Sequence, residues 1–125
     1  MKFTPKDPPR VFEVEFGDTI IQMKDCAQIQ LEPDEQITLV TESGGEYDVA
    51  RKSWGFYATP SLNGRLEHFG LRPVLLKNRI NRYFLVLVER GKEPDFERYL
   101  EVEGSKVVCW MDTTVSLAKL EEKLG

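Results

Sequence analysis

The only histidine of the chain, His68, lies in a segment rich in polar and aromatic side chains. If this segment is helical, Ser61, Arg65 and His68 share one face, because positions three, four and seven residues apart fall on the same side of a helix. An arginine beside a histidine is a combination that binds phosphate or carboxylate groups. The same stretch supplies further cations, aromatic walls and an amide for a ligand pocket: Arg51, Lys52, Trp54, Tyr57 and Asn63.

The charge of the chain is distributed unevenly along its length. Residues 51–82 carry seven basic side chains and one acidic one, a net charge of +6, whereas the whole chain carries −4. A local positive field attracts anions, so the distribution favours an anionic small molecule bound around residues 51–68. The alternative is that these charges pair with the acidic ends of the chain across the folded surface.

Common catalytic and metal-binding motifs are absent from the sequence. It contains no G-x-G-x-x-G, G-x-x-x-x-G-K-[ST] or G-x-S-x-G pattern, and its single histidine excludes zinc motifs that need two histidines. We therefore expect no metal and no cofactor, and a non-catalytic binding or accessory protein rather than an enzyme. If the protein is an enzyme, His68 is its candidate acid or base, acting on a phosphorylated or sugar-like substrate.

A second basic cluster, Lys77, Arg79 and Arg82 beside Tyr83, raises the question of nucleic acid. Basic side chains next to an aromatic ring can hold a phosphate backbone and stack a base. The chain is acidic overall, however, and the segment lacks the glycines of the RNP1 pattern. Nucleic acid is therefore not expected as a partner. The remaining alternative is a protein-interaction module whose basic surface docks an acidic protein partner.

The elements that must position these residues begin with short strands. Three prolines within residues 1–9 predict a flexible N-terminal arm, followed by a single α+β domain over residues 10–125. Apolar and polar residues then alternate in four stretches: 11–16, 27–31, 37–39 and 47–49. This alternation predicts an antiparallel β meander, which can also curl into a small barrel. Ser43-Gly44-Gly45 predicts a tight hairpin turn within it.

The segment that carries the candidate residues interrupts the alternation. Thr59-Pro60 is typical of a helix start and Gly70 of a helix end, so a short helix is predicted over residues 60–69. A hairpin that turns at Asn63-Gly64 is the alternative.

The C-terminal part predicts a β-β-α-β-α order and completes an α+β fold. The run Tyr83 to Val88 is apolar at every position and therefore predicts a central strand buried on both faces. A helix is predicted from Pro94 to Gly104, and a last helix after a cap at Asp112 or Thr113. The last helix carries three leucines on one side: Leu117, Leu120 and Leu124.

Residues 46–52, EYDVARK, and residues 54–66, WGFYATPSLNGRL, resemble a stretch of small uncharacterised bacterial proteins associated with surface-polysaccharide and modified-sugar gene clusters. The resemblance implies a cytoplasmic accessory role that handles a nucleotide sugar, and it transfers no catalytic residue. The sequence itself points to the same compartment. Two isolated cysteines, no apolar run long enough to cross a bilayer and no export signal predict a cytoplasmic protein with free thiols and no membrane partner.

Overall fold

The computed structural model describes residues 1–58 and 60–125, which contain eight strands and three helices. The elements in chain order are β1 (Lys2–Phe16), β2 (Thr19–Gln30), β3 (Gln36–Val40), β4 (Glu46–Lys52), β5 (Gly55–Tyr57), α1 (Arg65–His68), β6 (Leu71–Lys77), β7 (Tyr83–Glu89), α2 (Glu93–Glu103), β8 (Lys106–Trp110) and α3 (Thr114–Leu124). The predicted α+β class, with β-β-α-β-α at its C-terminal end, is confirmed. The described strands form three separate sheets, ordered β1-β2, β3-β4-β5 and β7-β6-β8, and do not close into a barrel.

The described residues fall into two compact units. The first unit comprises residues 1–36 and 50–57, and the second comprises residues 37–49 and 58–125. A single domain over residues 10–125 stays a prediction, and each unit is described by itself. Thr59, the predicted cap of the first helix, lies outside the described residues.

In the first unit, β1 and β2 form a long antiparallel ribbon. It pairs Lys2–Pro5 with Ala27–Gln30, and Arg10–Phe16 with Thr19–Asp25. Residues 2–5 are therefore paired in a regular ribbon, and a flexible arm over residues 1–9 stays a prediction. Proline lacks an amide donor, but the interruption is local: the register shifts between Pro5 and Arg10, and pairing continues on both sides of that gap.

In the second unit, the sheet β7-β6-β8 carries the core. Val74 and Leu76 of the central strand β6 are almost fully buried, together with Val88 of β7 and Leu100 of α2. Phe96 and Trp110 pack against this cluster and against each other, with 5.8 Å between their ring centroids. The aliphatic core of this unit is therefore small and centred on β6.

The prediction that Tyr83 to Val88 forms a buried central strand is wrong. β7 lies at the edge of its sheet, and its first three side chains, Tyr83, Phe84 and Leu85, are 57%, 48% and 48% exposed. Only Val88 is buried. An apolar run indicates how much apolar surface a strand can bury. It does not indicate whether a second strand pairs with the outer edge of that strand.

The helices follow their local sequence signals. α2 has a proline in its first turn and ends at Gly104, whose φ of +67° is the left-handed conformation that glycine adopts most easily. α3 begins with a capping box in which the hydroxyl of Thr113 accepts from the amide of Ser116. The predicted helix over residues 60–69 is present as the single turn α1, and its Leu66 is fully buried. No described helix has the length and apolar character needed to cross a membrane.

Candidate functional site

Arg65, the centre of the predicted site, is bound by carboxylates of the protein itself. Its Nε donates to Oδ2 of Asp48, and its Nη2 lies 3.9 Å from Oε2 of Glu46. The guanidinium also lies over the ring of Phe69, 4.5 Å from the centroid. Asp48 is buried and accepts a second hydrogen bond, 2.7 Å long, from the hydroxyl of Thr38. An anion at Arg65 therefore competes with two carboxylates for the same guanidinium.

Ser61 and Asn63, two further predicted site residues, hold the local structure around α1. Ser61 Oγ accepts from the amide of Arg65 at 2.8 Å and so supports the first turn. Asn63 Nδ2 donates to Oγ1 of Thr114, at the start of α3, at 3.1 Å. Because α1 is a single turn, the predicted helical face reaches only from Arg65 to His68.

Four of the five remaining predicted site residues lie in the first unit: Arg51, Lys52, Trp54 and Tyr57. Arg51 Nη1 donates to the carbonyl oxygen of Leu31 at 2.9 Å, and Lys52 Nζ lies 2.5 Å from Oδ1 of Asp34. The two aromatic rings pack edge to face with 5.5 Å between their centroids, and both are exposed. Both cations are therefore already bound by groups of their own unit.

His68, by contrast, lines a cleft in the second unit that we call the basic cleft. Three segments form it: residues 43–45 between β3 and β4, residues 68–70 at the end of α1, and residues 89–92 between β7 and α2. Its volume is about 320 Å³, which lies at the lower end of the range for small-molecule pockets. The buried Leu66 holds the turn that presents His68 to it.

Three exposed basic side chains line the basic cleft: His68, Arg90 and Lys92. Within residues 1–58 and 60–125, none of the three forms an ion pair. The one carboxylate in the lining is Glu89, which accepts hydrogen bonds from the hydroxyls of Ser43 and Thr41. These hydroxyls, Ser43 first, hold the pKa of Glu89 below its usual value. The positive charge of Lys92 acts in the same direction, so the lining combines three bases that form no ion pair with one ionised acid.

The backbone of the basic cleft is already hydrogen-bonded internally. The amide of Arg90 donates to the carbonyl oxygen of Gly70 at 2.7 Å, and the amide of Gly91 donates to Oε1 of Glu93 at 2.6 Å. Gly70 and Gly91 have φ angles of +75° and +95°, which disfavour any side chain there. A ligand in the cleft would therefore be held by side chains, because these amides are not available to it.

Arg90 and Lys92 are functional candidates that the sequence analysis missed. They stand on either side of Gly91, directly after the apolar strand β7 and before the proline of α2. The sequence signal that could have identified them was a pair of basic residues on either side of a glycine at the end of a strand. It was hidden because residues 83–125 are acidic overall, so that charge averaged over a long segment concealed a local basic pair.

In the second basic cluster, Arg79 contributes to the structure of the protein. Arg79 donates to the carbonyl oxygens of Val102 and Glu103 and so binds the C-terminal end of α2, where carbonyls lack helical partners. Lys77 Nζ lies 5.5 Å from the ring centroid of Tyr83.

No metal site is apparent: the described part of the chain has no group of three or more histidine, cysteine, aspartate or glutamate side chains placed to hold an ion. Comparisons with protein-family models, curated proteins and solved structures gave no match.

Proposed function

We propose that the protein is a small non-catalytic binding protein for an anionic ligand of sugar-phosphate or nucleotide type, and that this ligand occupies the basic cleft. The observation that carries the proposal is that His68, Arg90 and Lys92 line one polar cavity without forming ion pairs. Arg65 and Lys52, in contrast, are already paired with carboxylates. Arg90 and Lys92 form no ion pair and can make charge-assisted hydrogen bonds with a phosphate group, to which the imidazole of His68 can add a further hydrogen bond.

Binding is favoured over catalysis because the environment of His68 lacks an orienting acid. Its ring packs edge-on against Phe69, with 5.0 Å between the centroids. Within the described residues, no carboxylate hydrogen-bonds to the imidazole, whereas a catalytic histidine is held in one tautomer by such a partner. The enzyme alternative, with His68 as acid or base, therefore has less support than a binding role.

The cytoplasmic accessory role belongs to the same proposal. Cys26 and Cys109 are free thiols, and free thiols are typical of proteins kept in a reducing compartment. The resemblance of residues 46–66 to proteins of modified-sugar gene clusters supports a phosphorylated ligand. A ligand of sugar-phosphate size suits a cavity of about 320 Å³.

The proposal predicts that Lys92→Gln weakens the binding of inorganic phosphate. One charge-assisted contact is worth about 1.5–3 kcal/mol, so the loss is expected to be roughly 10- to 150-fold in Kd. Isothermal titration calorimetry at one fixed pH and salt concentration measures it. Lys119→Gln is the matched control, because Lys119 is an exposed lysine of α3 outside the cleft, and it is expected to leave Kd unchanged.

The same titrations on Arg65→Ala distinguish the basic cleft from the site predicted at residues 51–68. If Arg65→Ala abolishes phosphate binding and Lys92→Gln does not, the ligand lies at Arg65 and the cleft is the wrong place. If neither phosphate nor a panel of sugar phosphates and nucleotides binds the wild-type protein, the proposed function is overturned.

A further inference from the structure

We propose that Glu89 makes the basic cleft selective for a phosphate ester that carries hydroxyl groups over an ester of the same size without them. The inference rests on the proposed function, because it concerns the same cleft. It assigns to Glu89 the recognition of the uncharged, hydroxylated part of the ligand.

The carboxylate of Glu89 has acceptor capacity to spare. An ionised carboxylate offers about four lone-pair sites. Oε1 of Glu89 accepts from the hydroxyl of Thr41, and Oε2 accepts from the hydroxyl of Ser43. About two sites therefore remain, one on each oxygen. A hydroxyl group of a ligand is a donor that can fill them.

The same two hydrogen bonds hold the carboxylate in one orientation. Both donors belong to the segment between β3 and β4, and the amide of Gly45 donates in turn to Oγ1 of Thr41 at 3.0 Å. The backbone approaches closely here, since a Cβ on Gly45 would lie 2.8 Å from Oε1 of Glu89. An acceptor held in this way needs little reorganisation to bind a ligand hydroxyl.

Charge selects against ligands that are anionic throughout. Arg90 and Lys92 attract a phosphate group, whereas the ionised Glu89 in the same lining repels a second negative group and accepts only donors. The ligand that satisfies both has one phosphate and a neutral body with hydroxyl groups.

The test compares glycerol 3-phosphate, n-propyl phosphate and inorganic phosphate by titration calorimetry on wild type and Glu89→Gln. The first two ligands have the same carbon chain and differ by two hydroxyl groups. Wild type is expected to bind glycerol 3-phosphate roughly 10-fold more tightly than n-propyl phosphate, as one hydrogen bond to a charged group allows. In Glu89→Gln this ratio is expected to fall to about 3-fold or less, while inorganic phosphate binds more tightly because a repelling charge is gone.

Glu97→Gln is the matched control, since Glu97 is an exposed acid of α2 outside the cleft and the change in net charge is the same. It is expected to leave the ratio of the two esters unchanged. If all three ligands bind wild type and Glu89→Gln keeps the wild-type ratio, the role of Glu89 is overturned and the proposed function stands. If none of the three binds wild type, the role of Glu89 is overturned, and the proposed function is overturned with it when the panel of sugar phosphates and nucleotides also fails to bind.

Ser43→Ala keeps the test decisive if Glu89→Gln does not fold. It leaves the carboxylate in place and removes one of the two hydroxyls that orient it. The preference for glycerol 3-phosphate is then expected to fall at least threefold. An unchanged preference in a folded Ser43→Ala variant contradicts the assignment.

Discussion

At the residue scale, two arginines of the second unit share one arrangement. Arg65 donates to the buried Asp48, and Arg72 Nε donates to the buried Asp112 at 2.7 Å. Each guanidinium also lies over an aromatic ring, that of Phe69 or of Trp110. Arginine suits such sites because its planar guanidinium can bind a carboxylate and stack on a ring at the same time. These two cations stabilise the fold.

Asp48→Asn tests this stabilising role. We expect it to lower the free energy of unfolding by roughly 1–3 kcal/mol near neutral pH, because a charged hydrogen bond in a buried site is weakened. Arg65 first, and then Thr38, lower the pKa of Asp48 from its ordinary value of 3.8. The contribution is therefore complete above that value and is lost as the pH falls through the lower, folded-state pKa.

Urea denaturation of wild type and Asp48→Asn at about pH 7 and about pH 3 measures this contribution. The difference in unfolding free energy between the two proteins should shrink at the lower pH. Asp95→Asn is the control, because Asp95 is exposed and its pair with Arg98 spans 3.9 Å. A difference between wild type and Asp48→Asn that is the same at both pH values would contradict the role of the ionised Asp48.

Sequence reasoning reached part of the candidate site. It selected His68 because a single histidine among polar and aromatic residues is conspicuous, and His68 does line the basic cleft. It did not find Arg90 and Lys92, because the cleft joins three segments far apart in the chain and no local spacing connects them. The alternative that the basic middle segment pairs with acidic residues describes Arg65 and Asp48 well.

At the element scale, the hydrogen-bonding neighbours of each strand decide what its apolar residues contribute. Leu76 lies in the central strand β6 and is 2% exposed, whereas Leu85 lies in the edge strand β7 and is 48% exposed. Sequence alone treats both as members of apolar runs. An acidic residue in place of Leu85 is not expected to unfold the protein, because a side chain at that position reaches water.

Leu76→Ala and Leu85→Ala form a matched pair that measures this difference. Leu76→Ala is expected to cost about 2–5 kcal/mol, because it leaves a cavity in the core. Leu85→Ala is expected to cost about 1 kcal/mol, since only half of the side chain is removed from water in the native state. Thermal and urea denaturation give both values. Equal costs would mean that β7 is covered on its outer edge.

The ends of α2 and α3 could be predicted, whereas the start of α1 and the order of the strands could not. The proline in the first turn of α2, Gly104 after its end and the cap at Thr113 act within a few residues of the position that they define. A strand is placed by partners that are distant in sequence: β6 pairs with β7 and also with β8. Local sequence patterns therefore indicate where a helix ends, but they do not indicate which strands pair.

At the scale of the whole molecule, the two units have no sequence boundary between them. The chain passes from one unit to the other three times: near residue 36 inside β3, near residue 50 inside β4, and after residue 57 at the end of β5. Linkers are recognised by proline, glycine or polar composition, and the first two of these positions lie in regular strands instead. For this reason the sequence predicted one domain.

The cysteines allow a test that covers both units, because Cys26 lies in the first and Cys109 in the second. Cys26 is exposed and Cys109 is partly buried, and both are free. Titration with a thiol reagent is expected to show one fast-reacting thiol in the native protein and two after denaturation. Cys26→Ser should remove the fast reaction. An intramolecular disulfide, found by mass spectrometry in protein purified without oxidant, would contradict this expectation.

The hydrogen bond from the Arg90 amide to the Gly70 carbonyl continues the pairing of β6 with β7 by one residue, since Leu71 faces Glu89. The backbone of Gly70 and Arg90, which lines the basic cleft, is therefore part of the hydrogen-bonded sheet. The exposed side chains of the cleft reorient within picoseconds to nanoseconds, whereas local opening of a sheet takes microseconds or longer. An arriving anion would meet this backbone already formed. The speed of its capture is therefore set by diffusional encounter and by the exposed side chains of the cleft alone.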